Sequence, residues 1–173
     1  MHTRPRSPHS GKKETRNLGY ISELREVVGT RPLIMAGACV LVFDKDGRLL
    51  LQRRSDSGDW GTIGGALEPG ESLEEAAARE LWEEAGLTAK RFRLIDLFSG
   101  KDMYYRYPHG DEVYNVMAVF EAIEAEGTPE VNDGEGLELG YFDLNEPVAE
   151  LNPFTGLVLA KLGYPAQAAR KEA

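Results

Sequence analysis

The segment GGALEPGESLEEAAARELWEEAGL, residues 64–87, holds seven glutamates in 24 residues. Three of them, Glu80, Glu83 and Glu84, fall within the five residues after Arg79. At about 100° per residue, measured from Leu73, Glu80 lies near −20° and Glu84 near +20°, with Ala77 near +40° and Leu81 near +80°. Glu83 flanks this group at about −80°, and Trp82 falls near 180°. A helix whose glutamates are simply solvated would carry them opposite its leucines. Glu74 and Glu75 partly fit that description; Glu80 and Glu84 do not. Carboxylates crowded at the edge of a core repel and desolvate each other, so a cation belongs among them. Three hard oxygen donors suit Mg²⁺ or Mn²⁺.

The helix that positions them has clear punctuation. Pro69-Gly70 suits the centre of a turn. Ser72 followed by Glu75 is a capping box, and Gly86 stands where a left-handed stop is expected, which bounds the helix at about Leu73 to Ala85.

Gly65, five residues, Glu71, seven residues, then Arg79-Glu80-Leu81-Trp82-Glu83-Glu84-Ala85-Gly86-Leu87 resembles a complete Nudix box, with no position departing from its pattern. The resemblance implies an α/β/α sandwich around a mixed sheet. It also implies a pyrophosphohydrolase, in which water attacks a phosphoanhydride whose charge divalent ions neutralise. On the same resemblance Glu80, Glu83 and Glu84 supply metal oxygens, the Gly64 carbonyl completes the shell, and Arg79 orients a box carboxylate such as Glu71. Glu71 is alternatively a first-turn glutamate favoured by the helix dipole. Thr62-Ile63 stands where many family members have Leu-Pro, which removes no ligand.

Outside the box the candidates each have two readings. Glu135 and Glu138, in NDGEGLELGYF, lie where the family places another carboxylate; either is an extra ligand or base, or both are exposed loop residues. Arg53 and Arg54 end a strand, where one holds a phosphate and the other faces solvent. Trp60 stacks on a base or anchors the chain ahead of Gly64-Gly65. Tyr105, with Tyr104, Tyr107 and His109, lines a nucleoside pocket or packs a hairpin.

The net charge of −9 is uneven: residues 1–19 carry +4 and the rest −13. That polar, basic stretch is expected to be a disordered tail, and residues 20–173 a single domain. An acidic body disfavours bulk nucleic acid but not a phosphorylated small molecule, since bound divalent ions reverse the local field. Nucleoside triphosphates, ADP-ribose and other sugar nucleotides, dinucleoside polyphosphates and triphosphorylated RNA ends remain open as substrates, and homodimerisation is left open. The competing class is a nucleotide-sensing module without turnover, against which the intact box speaks. No apolar run is long enough to span a membrane, no secretory signal stands at the N-terminus, and the expected compartment is the cytoplasm. Cys39, the single cysteine, lies in the apolar run Ala36–Phe43 and reads as a core residue.

Around the box the pattern predicts a short helix at Tyr20–Val28 and a hairpin of Leu33–Phe43 with Arg48–Arg53 about Asp46-Gly47. Later strands are expected at Lys90–Phe98, Met103–Tyr107, Val113–Ala125 and Leu139–Asp143. A final helix is expected to start at Asn152-Pro153 and stop at Gly163.

Overall fold

Alternation along one central strand divides the core in two. In the computed structural model, which describes residues 19–132 and 134–164, strand β1 (Leu33–Leu41) points Ala38 and Val40 to one side and Cys39 and Leu41 to the other. Successive strand residues face opposite ways, so a strand apolar at every position must be covered on both faces. On one side lies helix α2 (Leu73–Ala85), which contributes Ala76, Ala77, Leu81 and Ala85. On the other lies helix α3 (Pro153–Lys161), which contributes Val158 and Leu159. The result is the expected α/β/α sandwich.

The remaining elements are α1 (Tyr20–Val28), β2 (Leu49–Arg54), β3 (Trp60–Gly61), β4 (Ile63–Ala66), β5 (Thr88–Phe98), β6 (Tyr104–Arg106), β7 (Glu112–Glu126) and β8 (Gly136–Phe142). A five-stranded mixed sheet runs β4-β1-β7-β5, with β6 also on β7; β1 and β7 are parallel and the other pairs antiparallel. A three-stranded antiparallel sheet runs β3-β2-β8.

Both predicted helix ends in the box are present. Ser72 and Glu75 form the reciprocal capping box, and Gly86 takes the left-handed conformation at φ 65°. Asn152 caps α3 by accepting from the Phe154 and Thr155 N–H groups, with Pro153 in the first turn.

The predicted β1/β2 hairpin needs correction. The chain does reverse at 44–48, where the Asp44 N–H donates to the Arg48 carbonyl at 3.0 Å. The two strands then separate into different sheets, joined only around the Phe43–Leu49 bridge and the Leu50 N–H to Val42 carbonyl bond at 2.9 Å. β1 takes β7 and β4 as partners instead, because a strand with two buried faces belongs in the middle of a sheet. The short strands β3 and β4, which lie along GDWGTIGG and its next residue Ala66, were not expected, and part of the expected strand at Met103 is a 3₁₀ turn, Lys101–Met103. The expected basic tail lies outside the described residues apart from Gly19.

Candidate active site

Strand β4 and helix α2 meet face to face, and their contact explains two glycines. A Cβ on Gly64 would stand 2.2 Å from the Ala38 carbonyl oxygen, and the backbone there has φ 144°. A Cβ on Gly65 would stand 2.3 Å from Oε1 of Glu80. The first glycine lets β4 approach β1; the second leaves room for a carboxylate.

Glu80 is held by Arg79, whose Nη1 donates to Glu80 Oε1 at 2.7 Å and to Glu83 Oε2 at 3.1 Å. The rest of the guanidinium grips Glu71 by two bonds, Nε to Oε1 at 2.7 Å and Nη2 to Oε2 at 3.0 Å, and Nη2 also reaches the Ala66 carbonyl. This fork geometry is what a planar guanidinium offers and an ammonium does not. The Arg79 bonds hold the Glu71 carboxyl below its usual range, partly opposed by burial. Glu71 also accepts from the Glu68 N–H at 3.0 Å.

Glu84 is buried, and its Oε2 accepts from the Gly64 N–H at 2.8 Å. Glu80 is nearly buried, whereas Glu83 keeps about half its side chain in solvent, at 48%. Burial pushes the Glu80 carboxyl up; the bond and charge of Arg79 oppose this, and the charges of Glu83 and Glu135 add to it. The net rise is therefore mainly the cost of burying a carboxylate, with its acidic neighbours adding to it.

Gly64, Gly65, Arg79, Glu80, Glu83 and Glu84 open on one cavity of about 1090 Å³, whereas Glu71 braces Arg79 from outside its lining. Arg54 lines it as well, paired with Asp56 through Nε at 3.0 Å and Nη2 at 2.8 Å. Burial works against the Arg54 charge, but the Asp56 pair outweighs it, with Tyr107 and Glu84 contributing, and the guanidinium is held fully protonated. Glu135 and Tyr105 line the same space. Arg53, Trp60 and Glu138 are not among its lining residues. Arg53 bonds Glu150 at 3.2 Å, Trp60 packs edge-on against Phe142 at 4.7 Å, and Glu138 lies opposite Arg53 on β8. A bulge between Arg53 and Arg54 turns these neighbours to different surroundings.

A divalent ion suits this donor chemistry: Glu80 and Glu84 are pre-placed carboxylates at the edge of the core, lining the same cavity as Glu83. Among the described residues no three His, Cys, Asp or Glu side chains gather closely enough to hold a metal. Arg79, bonded to both Glu80 and Glu83, keeps Glu83 turned towards itself.

Several lining residues were not expected. Arg25, on α1, has its side chain 10% exposed and its Nε 3.2 Å from Asp111. Its other donors reach backbone carbonyls, which a sequence does not display. Asn115 is buried on β7 and donates to the Met103 carbonyl at 3.2 Å. The only sequence signal for it is a polar residue within an apolar strand.

Residues 33–162 match the family model described as the NUDIX domain. The chain belongs to the NUDIX domain family. A MutT-like protein of Streptomyces ambofaciens is 43% identical over 79 residues, covering 46% of this chain and 51% of that protein. An ADP-ribose pyrophosphatase of Methanocaldococcus jannaschii is 34% identical over 107 residues, covering 60% of this chain and 59% of that protein. The chain thus spans little more than half the length of these two relatives. The crystal structure of a MutT NUDIX hydrolase from Burkholderia pseudomallei superimposes with a TM-score of 0.62 at 28% identity, covering 76% of this chain and 98% of that one. The NUDIX domain carries the box on β4 and α2, with Gly65 and Leu87 as its first and last residues.

Proposed function

We propose that this NUDIX domain is a divalent-metal-dependent pyrophosphohydrolase acting on a nucleoside diphosphate linked to another group, with a nucleoside monophosphate among its products. The observation that carries this reading is the sharing of one cavity by the Glu80 and Glu84 carboxylates and the Arg54 guanidinium. A single space thereby offers carboxylate oxygens for a cation and a fixed cation for a phosphate, the two needs of phosphoanhydride cleavage. The relative named an ADP-ribose pyrophosphatase supports the same class.

In this scheme Glu80, Glu83 and Glu84, with the Gly64 carbonyl, would hold Mg²⁺ or Mn²⁺, Glu83 turning from Arg79 to join the other two. A bound divalent ion supplies neutralisation of the anhydride oxygens and a more acidic water. Arg79 fixes the angle of Glu80 by bridging it to Glu71, so one carboxylate braces another. Arg54 binds a non-bridging phosphate oxygen, its own direction set by Asp56. Glu135 takes the proton from the attacking water, for which its position on the lining near Glu80 is suited. Tyr105 faces the nucleoside.

A panel of nucleoside triphosphates, ADP-ribose and other sugar nucleotides, dinucleoside polyphosphates and triphosphorylated RNA, assayed with Mg²⁺ and with separation of products, tests this. Metal-dependent release of a nucleoside monophosphate from at least one is expected. Binding without turnover across the panel overturns the reading in favour of a nucleotide-sensing module.

A further inference from the structure

Helix α1 lies outside residues 33–162, the span matched to the family, yet it forms part of the cavity wall. None of its residues is fully buried, although Ile21, Leu24 and Val28 are half-buried. Two polar tethers add to that packing. At its start the Tyr20 N–H faces both carboxylate oxygens of Glu68 at 3.2 Å, and the Glu68 N–H in turn donates to Glu71, the partner of Arg79. Towards its end Arg25 bonds backbone carbonyls through both Nη atoms, while Nε faces Asp111 as an ion pair without hydrogen-bond geometry. Nη1 donates to the Gly29 and Arg31 carbonyls at 2.9 and 2.6 Å, Nη2 to the Glu112 carbonyl at 2.7 Å, and Nε lies 3.2 Å from Asp111.

Asp111 is the residue that carries this hold into the cavity. Its carboxylate also meets His109 Nε2 at 3.1 Å, and its carbonyl accepts from the Tyr107 N–H at 2.8 Å. Tyr107 and His109 stack with ring centroids 5.4 Å apart and planes 24° apart, and Tyr105 meets Tyr107 edge-on at 4.9 Å. Arg54 and Glu84 line the same cavity as Tyr105, Tyr107 and His109. One cavity therefore offers carboxylates, a cation and stacked rings, the three kinds of group that a metal-bound nucleoside diphosphate needs.

Resting on the proposed nucleotide substrate, we propose that Arg25 and Asp111 are positioning residues for the base. They fix the Tyr107–His109 face on which it stacks, and so make α1 part of the binding site. Aromatic stacking is tolerant of base identity but demands a ring held at a defined angle, and losing one such platform weakens binding by about tenfold. Arg25 acts through Asp111 and does not touch the anhydride.

The test measures binding of α,β-methylene-ADP and of methylenediphosphonate, which has no base, by calorimetry on the full chain with Mg²⁺. Arg25→Gln is expected to weaken the nucleotide analogue about tenfold or more and the base-free bisphosphonate less than about twofold. Because Arg25 also holds three backbone carbonyls, those of Gly29, Arg31 and Glu112, Asp111→Ala provides a second route that leaves those bonds in place, with the same expected split. Equal losses for the two ligands, unchanged nucleotide binding in variants that melt normally, or a wild type that does not prefer the nucleotide analogue overturns the inference. A clear split in binding with no turnover on any substrate leaves it standing and removes only the pyrophosphohydrolase reading.

Discussion

Adding one methyl group to Gly65 should separate catalysis from stability. The new Cβ would lie 2.3 Å from Glu80 Oε1, 2.7 Å from Cδ and 3.0 Å from Oε2, against about 3.4 Å for ordinary contact. The carboxylate is the end of a flexible side chain, so it yields, by about 1 Å, and leaves its 2.7 Å bond to Arg79. A misplacement of about 1 Å in a reacting constellation costs on the order of 10²-fold in rate, or roughly 2.7 kcal/mol of barrier. Fold stability loses about one hydrogen bond, on the order of 1 kcal/mol, which lowers Tm by about 2–4 °C. Gly64→Ala differs because its Cβ meets backbone, 2.2 Å from the Ala38 carbonyl oxygen and 2.9 Å from the Cys39 Cα, at φ 144°. Overpacking and backbone strain there together cost roughly 2–6 kcal/mol, so this variant should melt well below Gly65→Ala. The assay pairs kcat on the best panel substrate with thermal melts of both variants. If Gly65→Ala keeps turnover within about threefold of wild type, or melts as low as Gly64→Ala, the link between that glycine and Glu80 is refuted.

Mn²⁺ at about 100 times its Kd should stabilise the wild type by roughly 2.7 kcal/mol, and Glu80→Gln/Glu84→Gln should erase most of that shift in a thermal melt while turnover falls more than tenfold. A metal-independent wild type with a strongly destabilised double variant would make these carboxylates structural. Trp82, exposed on the far face of α2, is the control: Trp82→Phe should leave kcat nearly unchanged. Burial pushes the Cys39 thiol up to about 12, so at pH 8 a thiol reagent should label the unfolded chain and not the native one; rapid native labelling would contradict its place in the core.

What the sequence displayed best was local. The ends of α2 follow from Ser72, Glu75 and Gly86, whose capping bonds span three or four residues. The wheel that put Glu80 and Glu84 among alanines agrees with their burial, since a rigid helix carries a fixed angle from one turn to the next. Long-range pairing was not displayed. Asp46-Gly47 signals that the chain reverses, but the parallel pairing of Leu33–Leu41 with Val113–Glu121 depends on residues some 80 positions away. β3 and β4 are two and four residues long, too short for alternation to register. Arg53 and Arg54 differ only through a bulge, and Arg25 bonds mostly to backbone, so neither placement has a side-chain signature.

The parting of β1 and β2 into separate sheets sets a mechanical condition on the site. Glu80, Glu84 and Tyr105 ride with the larger sheet; Arg54, and Glu135 just ahead of β8, ride with the smaller one. Within the 42–50 reversal these halves share a joint at Phe43–Leu49, and β2 then acts as a lever about 17 Å long out to Arg54. Tilting that lever by about 3° displaces the guanidinium by roughly 1 Å, a distance that chemistry notices and folding does not. Substitutions at Phe43 or Leu49 should accordingly shift Arg54 relative to Glu80 while every active-site residue is still present. A defect of alignment there would be measured as a defect of chemistry.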